Sequence, residues 1–462
     1  MGFILGGSPA WAQAPWPVTG PPVSPQPSTQ PFPTPLFGVQ PPLQAPGAPL
    51  PPPVATPPSQ SHLPAQLPPP GPIAATAFEL HPSLTLSEEY SDNFRITSTN
   101  KIDNFRSTVS PGLLVGINDP TTRGTVSTSL GVVQDSVNSV GDFGFFPSVS
   151  ASVKHAFDPR LSLSLIDTFT RSDEPALANQ FGLQRQRQTF ASNTLGLSAD
   201  WLLDLLATQG YYQLSTFFGS ADTVSHILGA DAGVPLGAFM TAKAGYEFSH
   251  IQTSGATGNE STGHLIWASV ARQFGPLRSV GVSTSYSLQS LDSTRIWNVS
   301  LFSPYELPGR LSLSGSLGVS LLSSDSEGTR SVITSNTSAT YRFAKAVIAV
   351  ALLRDFNQTG LQGQNFGTVL TRSYTGSFGY ALTPFIDTSL RASYSKNEFT
   401  GVGNSQSSPD TKTFSAQASL AWRLQRWLTM GLDYTYTRYD TGAASGGAAT
   451  ENRAAIRLTA SF

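Results

Sequence analysis

The chain has 462 residues, no cysteine, 12% charged residues and a formal charge of −2. Without cysteine there are no disulfides and no thiolate metal sites; without net charge there is no bulk field for nucleic acid; and no apolar run is long enough for a transmembrane helix. A transmembrane β-barrel stays open, because a barrel puts only alternate residues into lipid and keeps its average hydropathy unremarkable.

Residues 1–14, "MGFILGGSPAWAQA", end in the small-x-small pattern Ala12, Gln13, Ala14. They read as a truncated signal peptide cleaved after Ala14; the alternative is a tail that mimics a cleavage site. Proline then takes 23 of the 61 positions from 15 to 75, and the first charged residue is Glu79. Proline fixes φ and removes backbone donors, so neither helix nor sheet can propagate there. The segment is expected to be a disordered, extended linker of about 3 Å per residue where stiff. It reads as a passive spacer; the sharper alternative is a ligand for a periplasmic partner or the cell wall.

From 76 to 462 the composition turns to Ser, Thr, Gly, Leu, Val and aromatics, and a period of two dominates, the signature of strands. In "FMTAKAGYEFSH" (239–250) Met240, Ala242, Ala244, Tyr246 and Phe248 share one face, and Thr241, Lys243 and Glu247 the other. "GRLSLSGSLGVSLL" (309–322) sets Leu311, Leu313, Leu317, Val319 and Leu321 against Ser312, Ser314, Ser316 and Ser320. "FIDTSLRASYSK" (385–396), "KTFSAQASLAWRL" (412–424) and "LTMGLDYTYTRY" (428–439) divide the same way. Each is a ribbon with one apolar and one polar face.

The breaks decide between a soluble sandwich and a barrel. Short ones, such as "NDPTT" (118–122), "FGPL" (274–277) and "LTPF" (382–385), take turns with long polar ones, such as "SDEPALANQFGLQRQRQ" (172–188) and "EFTGVGNSQSSPDTK" (398–412). Tight turns at one end and long loops at the other are the asymmetry of outer-membrane barrels. The fold class is therefore all-β: an antiparallel up-and-down transmembrane barrel of about 20 strands, within a range of 16–20. An even count places both termini in the periplasm.

Aromatics near the breaks predict an interfacial girdle: Tyr286, Tyr305, Phe343, Tyr374, Tyr380, Phe385, Trp422, Trp427, Tyr436, Tyr439 and Phe462. Two stretches resist. In "RLSLSLIDTFTRS" (160–172) Asp167 falls on the apolar face, which predicts either a bulge that shifts the register or a place near the outer rim. "ADWLLDLLAT" (199–208) is greasy for a turn and predicts an interfacial connection with one helical turn. The end, "RAAIRLTASF" (453–462), sets Ile456, Leu458, Ala460 and a terminal Phe462 on one face. It resembles the C-terminal signal read by the outer-membrane assembly machinery.

The first strand, "FELHPSLTLSEEYSDNFRIT" (78–97), resembles the opening of the β-barrel porin 2 family, through His81-Pro82-Ser83, Leu84, Leu86 and the run from Glu88 to Asn93. "FRSTVSPGLLVGI" (105–117), with Ser110-Pro111-Gly112, resembles that family's second strand. The resemblance implies an outer-membrane barrel associated with exopolysaccharide export. It brings no catalytic residues, and the long proline-rich leader departs from the family's short start.

The six histidines show no ligand spacing, and no phosphate loop, dinucleotide fingerprint or nucleophile elbow is present. The reading is of a protein that is not an enzyme and needs no cofactor or metal. Candidate pore-lining residues are the charged members of the polar faces: Lys243, Glu247, Asp387, Arg391, Arg423, Asp433, Arg453 and Arg457. Lys243 with Glu247, and Arg391 with Asp387, are expected to form a lumenal ladder of ion pairs. The expected function is a porin-like channel or exopolysaccharide-export component in a Gram-negative outer membrane, passing hydrophilic solutes or glycans. The alternative is a non-transporting surface scaffold that adheres through its external loops.

Overall fold

The computed structural model describes residues 78–462 except 139–140, 175–186, 220–221, 255–259, 276–277, 291–292, 308–309, 326–327, 359–367, 401–409 and 441–446. The expected signal peptide and proline-rich linker lie outside the described residues.

Twenty strands follow one another, beginning with β1 (Phe78–Ser91), β2 (Asn104–Asn118), β3 (Thr122–Asp135), β4 (Gly144–Ala156) and β5 (Leu161–Ser172). Next come β6 (Phe190–Leu203), β7 (Leu206–Phe218), β8 (Thr223–Pro235), β9 (Met240–Thr253) and β10 (Glu260–Gln273). The second half opens with β11 (Ser279–Gln289), β12 (Arg295–Leu307), β13 (Leu311–Ser324), β14 (Gly328–Arg342) and β15 (Ala346–Gln358). It ends with β16 (Thr368–Thr383), β17 (Ile386–Thr400), β18 (Thr411–Gln425), β19 (Leu428–Asp440) and β20 (Ala448–Ser461).

Each strand pairs antiparallel with its neighbours in sequence, and β20 closes on β1 from Ser83 opposite Ser461 to Ser91 opposite Arg453. Closure removes the two free edges that an open sheet would leave. Connections at one end span two to five residues; at the other they reach seventeen, between β5 and β6.

Alternation sorts the side chains. The rows predicted to be apolar point outward, with Leu317, Val319, Leu390, Ile456 and Val282 all exposed large hydrophobics. The rows of Ser and Thr point inward: Ser283 and Ser300 share a hydrogen bond of 2.7 Å, Ser314 and Ser338 one of 2.8 Å, and Asn298 Nδ2 donates to Ser320 Oγ at 2.6 Å. This is a core turned inside out, with polar groups paired along the interior wall and apolar groups on the exterior.

Aromatics crowd the exterior at the short-turn end, including Trp201, Phe239, Phe343, Phe385, Trp422 and Trp427. The last residue joins them, its ring stacked on Trp427 at 6.0 Å and its N–H donating to Pro82 O at 3.0 Å. Tyr439 does not belong to the girdle. It faces inward and is buried against Ile96 and Ala449, because its register partner Ala449 lies on the interior row.

No helical turn forms at 199–208. β6 and β7 meet in a two-residue hairpin, Asp204-Leu205, with Asp204 at φ 49°, a left-handed conformation that Asp tolerates better than most side chains. No bulge forms at Asp167 either, since Ala151, Asp167 and Leu195 stay in register. Asp167 remains outward and accepts a hydrogen bond from Asn193 Nδ2 at 2.8 Å. Towards the long loops the outward rows turn polar, with Asn193 opposite Thr216 and His226 opposite His250. Asp167 thus lies just below the level where the apolar band ends.

Candidate functional site

At the long-loop end two described segments lean into the interior. The first is the turn after β1. Phe94 N donates to Ile102 O at 2.8 Å and Ile96 N to Asn93 O at 2.9 Å. Asn93, fully buried, donates through Nδ2 to Thr97 O and Thr450 O, both at 2.8 Å. Ile96 takes φ 53°, strained for a β-branched residue, and its side chain is buried on the interior face of β19 and β20.

Charged residues from both sides of the β5–β6 connection close on that turn. Arg187 Nε donates to Phe94 O at 3.0 Å, with its guanidinium 4.6 Å from the Phe94 ring centroid. Its two terminal nitrogens reach Glu174 at 3.1 Å and Glu451 at 3.3 Å. Arg453 of β20 also pairs with Glu174 at 2.8 Å and with Glu451 at 3.2 Å, and lies 3.9 Å from Glu89. On the near side, Arg106 of β2 grips Asp135 at 2.8 Å and Asp173 at 2.5 Å. Glu174 follows β5, yet its partner lies on β20, on the other side of β1 to β4. Glu174 and Arg187, at the two ends of the connection, therefore both reach across the interior to β20. Glu451 keeps 1% of its side-chain exposure. A carboxylate so desolvated is tolerable only with this many partners.

The second inward segment is the far tip of β15–β17. The β14–β15 ladder stops at Ser335 opposite Arg354, while β15 stays paired to β16 as far as Gln358, and β16 to β17 as far as Thr400. Above the split, Phe356 and Leu370 continue the outward rows, but they pack with Leu322 and Val332 from the interior rows of β13 and β14. Glu398 likewise meets Arg330 at 3.1 Å, Arg372 at 3.0 Å and Lys396 at 2.9 Å. Outward and inward rows can meet only if the tip bends inward past the split and packs behind the neighbouring strands β13 and β14.

The eight candidate residues from the sequence all fall on interior rows by register. Arg453 is the one drawn into the charged cluster. Arg457 pairs with Asp433, which also accepts from Ser419 Oγ at 2.7 Å. Arg423 lies diagonally across the β17–β18 ladder from Asp387. The expected pairs of Lys243 with Glu247 and Arg391 with Asp387 do not form. Four residues along a strand span about 13 Å, beyond ion-pair reach, and Glu247 instead accepts from Tyr211 Oη at 2.6 Å. Sequence reading missed Glu89, Arg106, Asp135, Asp173, Glu174, Arg187 and Glu451. The signal available for them was charge gathered at strand ends, "SDEP" and "QRQRQ", in a chain so poor in charge. Among the described residues no three His, Asp or Glu side chains gather as metal ligands.

A closed cylinder with an apolar exterior, aromatic ends and a hydroxyl-lined interior is an outer-membrane β-barrel. Comparison with solved structures gives the same fold. The ferric enterobactin receptor PfeA of Pseudomonas aeruginosa, as its R480A/Q482A mutant, matches with a TM-score of 0.50 at 11% identity, covering 83% of this chain and 80% of that one. The same receptor's R480A mutant with enterobactin also gives 0.50 at 11% identity, covering 83% and 81%. The FrpB iron transporter of Neisseria meningitidis gives 0.49 at 9% identity, covering 83% and 82%. At such identities the likeness is one of fold. No family model matches the chain and no curated protein does, so the resemblance of residues 78–117 to the β-barrel porin 2 family stands without a family assignment.

Proposed function

We propose that the barrel passes hydrophilic solutes across the outer membrane through a lumen narrowed at its external mouth, with both chain ends in the periplasm. One observation carries this reading: the interior wall is rich in hydroxyls and amides, while the charge at the mouth is tied into ion pairs. Twenty strands enclose enough width for an aqueous channel. Hydroxyls that already bond to one another offer a wet, weakly selective wall rather than a tight site. The eight interior charged residues line that path. The C-terminal row Ile456, Leu458, Ala460 and Phe462 serves as the assembly signal. Planar-bilayer recording of the refolded barrel tests the channel: discrete conductance steps support it, and a folded barrel that opens none leaves the surface-scaffold reading in its place.

A narrower reading has support in one place. The residues that resemble the exopolysaccharide-associated family, from Glu88 to Asn93, supply Glu89 and Asn93 to the constriction. In that reading the solute is a glycan, and residues 15–75 dock a periplasmic partner of an export system. Deleting 15–75 should then impair polysaccharide secretion while the barrel stays in the membrane; unchanged secretion removes the docking role.

A further inference from the structure

Two aromatic rings on the interior wall stand apart from the charged mouth. Tyr211 of β7 lies directly over Gly229 of β8, so that any Cβ there would collide with the phenol ring. Its Oη reaches on to Glu247 of β9. Trp267 of β10 comes from the opposite side and lies over Gly245 of β9, where an added Cβ would sit 2.6 Å from the indole Cε2 and Nε1. Gly245 and Glu247 are two residues apart on one face of one strand. The rings therefore converge on the same short stretch of wall, each laid flat by a glycine beneath it.

Their level agrees. Tyr211 is five residues from the short-turn end of β7, and Trp267 six from that of β10. Both are partly exposed. Around them the wall is set with acceptors. Asp231, partly exposed, stands opposite Gly245 across the β8–β9 ladder, and Glu247 holds the Tyr211 hydroxyl through Oε2. Glycine within a strand weakens it unless something must approach closely. Here the approach lays two aromatic rings beside Asp231, Glu247 and Lys243, which lies two residues from Gly245 on the same face.

We propose that Tyr211, Trp267, Glu247 and Asp231 form a subsite for neutral pyranose sugars. A pyranose ring has an apolar C–H face, which a flat aromatic ring matches, and a rim of hydroxyls, from which the Asp231 carboxylate accepts strongly, while Glu247 positions the Tyr211 ring through its hydroxyl. Asp231 and Glu247 outnumber the single cation Lys243 on the same stretch of wall and so disfavour an acidic sugar there. The proposal rests on the channel reading above and names the class of solute that lingers in it.

Calorimetric titration of the folded barrel in detergent, with maltohexaose as the neutral probe and hexagalacturonate as the acidic one, tests it apart from conductance. The wild type should bind maltohexaose and prefer it to the acidic chain. Trp267→Ala should weaken binding at least tenfold, and Trp267→Phe by less. Gly245→Ala, which keeps the indole but lifts it from the wall, should also weaken it. Should Trp267→Ala fail to fold, Gly245→Ala and Glu247→Gln carry the test. No binding by the wild type, equal binding by the folded variants, or preference for hexagalacturonate overturns the subsite. Open channels without sugar binding remove the subsite and leave the pore; sugar binding without channels keeps the subsite and removes the pore.

Discussion

Arg453 shows what one residue does in this barrel. It sits on the interior row of β20, eight positions from the register partner of Ser83, and joins Glu174 and Glu451 from two different segments. Removing one member of a desolvated ion network leaves the others charged and unpaired, at a cost of about 3 kcal/mol or more. Arg453→Met should lower stability by that amount in urea unfolding from lipid vesicles. Arg160→Met, in an exposed turn with its guanidinium 4.0 Å from Asp204, should change it by about 0.5 kcal/mol at most. Similar losses for the two would show that the cluster contributes no special stability. Arg453 was legible as an interior residue because alternation alone fixes the face of a strand position. Its partners were not, since Glu174 is 279 residues away.

At the scale of elements, the ribbons of β9, β13, β17, β18 and β19 were readable because one face is mostly apolar along its middle and a period of two has no helical alternative. The same property makes β13 a test of which side meets lipid. Leu317, mid-strand and outward, should cost about 2–4 kcal/mol as Leu317→Lys, whereas Ser316→Lys, one position away and inward, should cost about 1 kcal/mol or less. Equal penalties would contradict the assigned faces. The bent tip of β15–β17 was not readable, because Phe356 and Leu370 keep the outward parity while packing on an interior surface. Only the loss of the β14–β15 ladder beyond Ser335 reveals it. Truncating a buried phenylalanine costs about 3 kcal/mol, and this cost should fall on the tip. Phe356→Ala should speed amide exchange at the ends of β15 and β16 while leaving the rest of both strands protected. Uniform exchange along both strands would mean that the tip is not a separate unit.

For the whole molecule, the count of strands and the alternation of short and long connections followed from composition and spacing. The ion pairs that join Glu174 and Arg187 to β20 did not, because contacts between residues far apart in the chain leave no periodic trace. Those pairs predict a mechanical consequence. Arg187→Ala frees Glu174 and Glu451 from one of their shared partners and breaks the tie to Phe94, so unit conductance should rise and its fluctuations grow. Conductance identical to wild type would show that these ion pairs do not limit the opening. The central claim, that alternate residues face hydrocarbon and water, is open to the most direct measurement because the chain has no cysteine of its own. Single cysteines placed along β18 as Ser415→Cys, Ala416→Cys, Gln417→Cys and Ala418→Cys can be probed in liposomes with a membrane-impermeant thiol reagent. Positions 415 and 417 should react and 416 and 418 should stay protected; uniform reactivity along the four, or the opposite alternation, would contradict it.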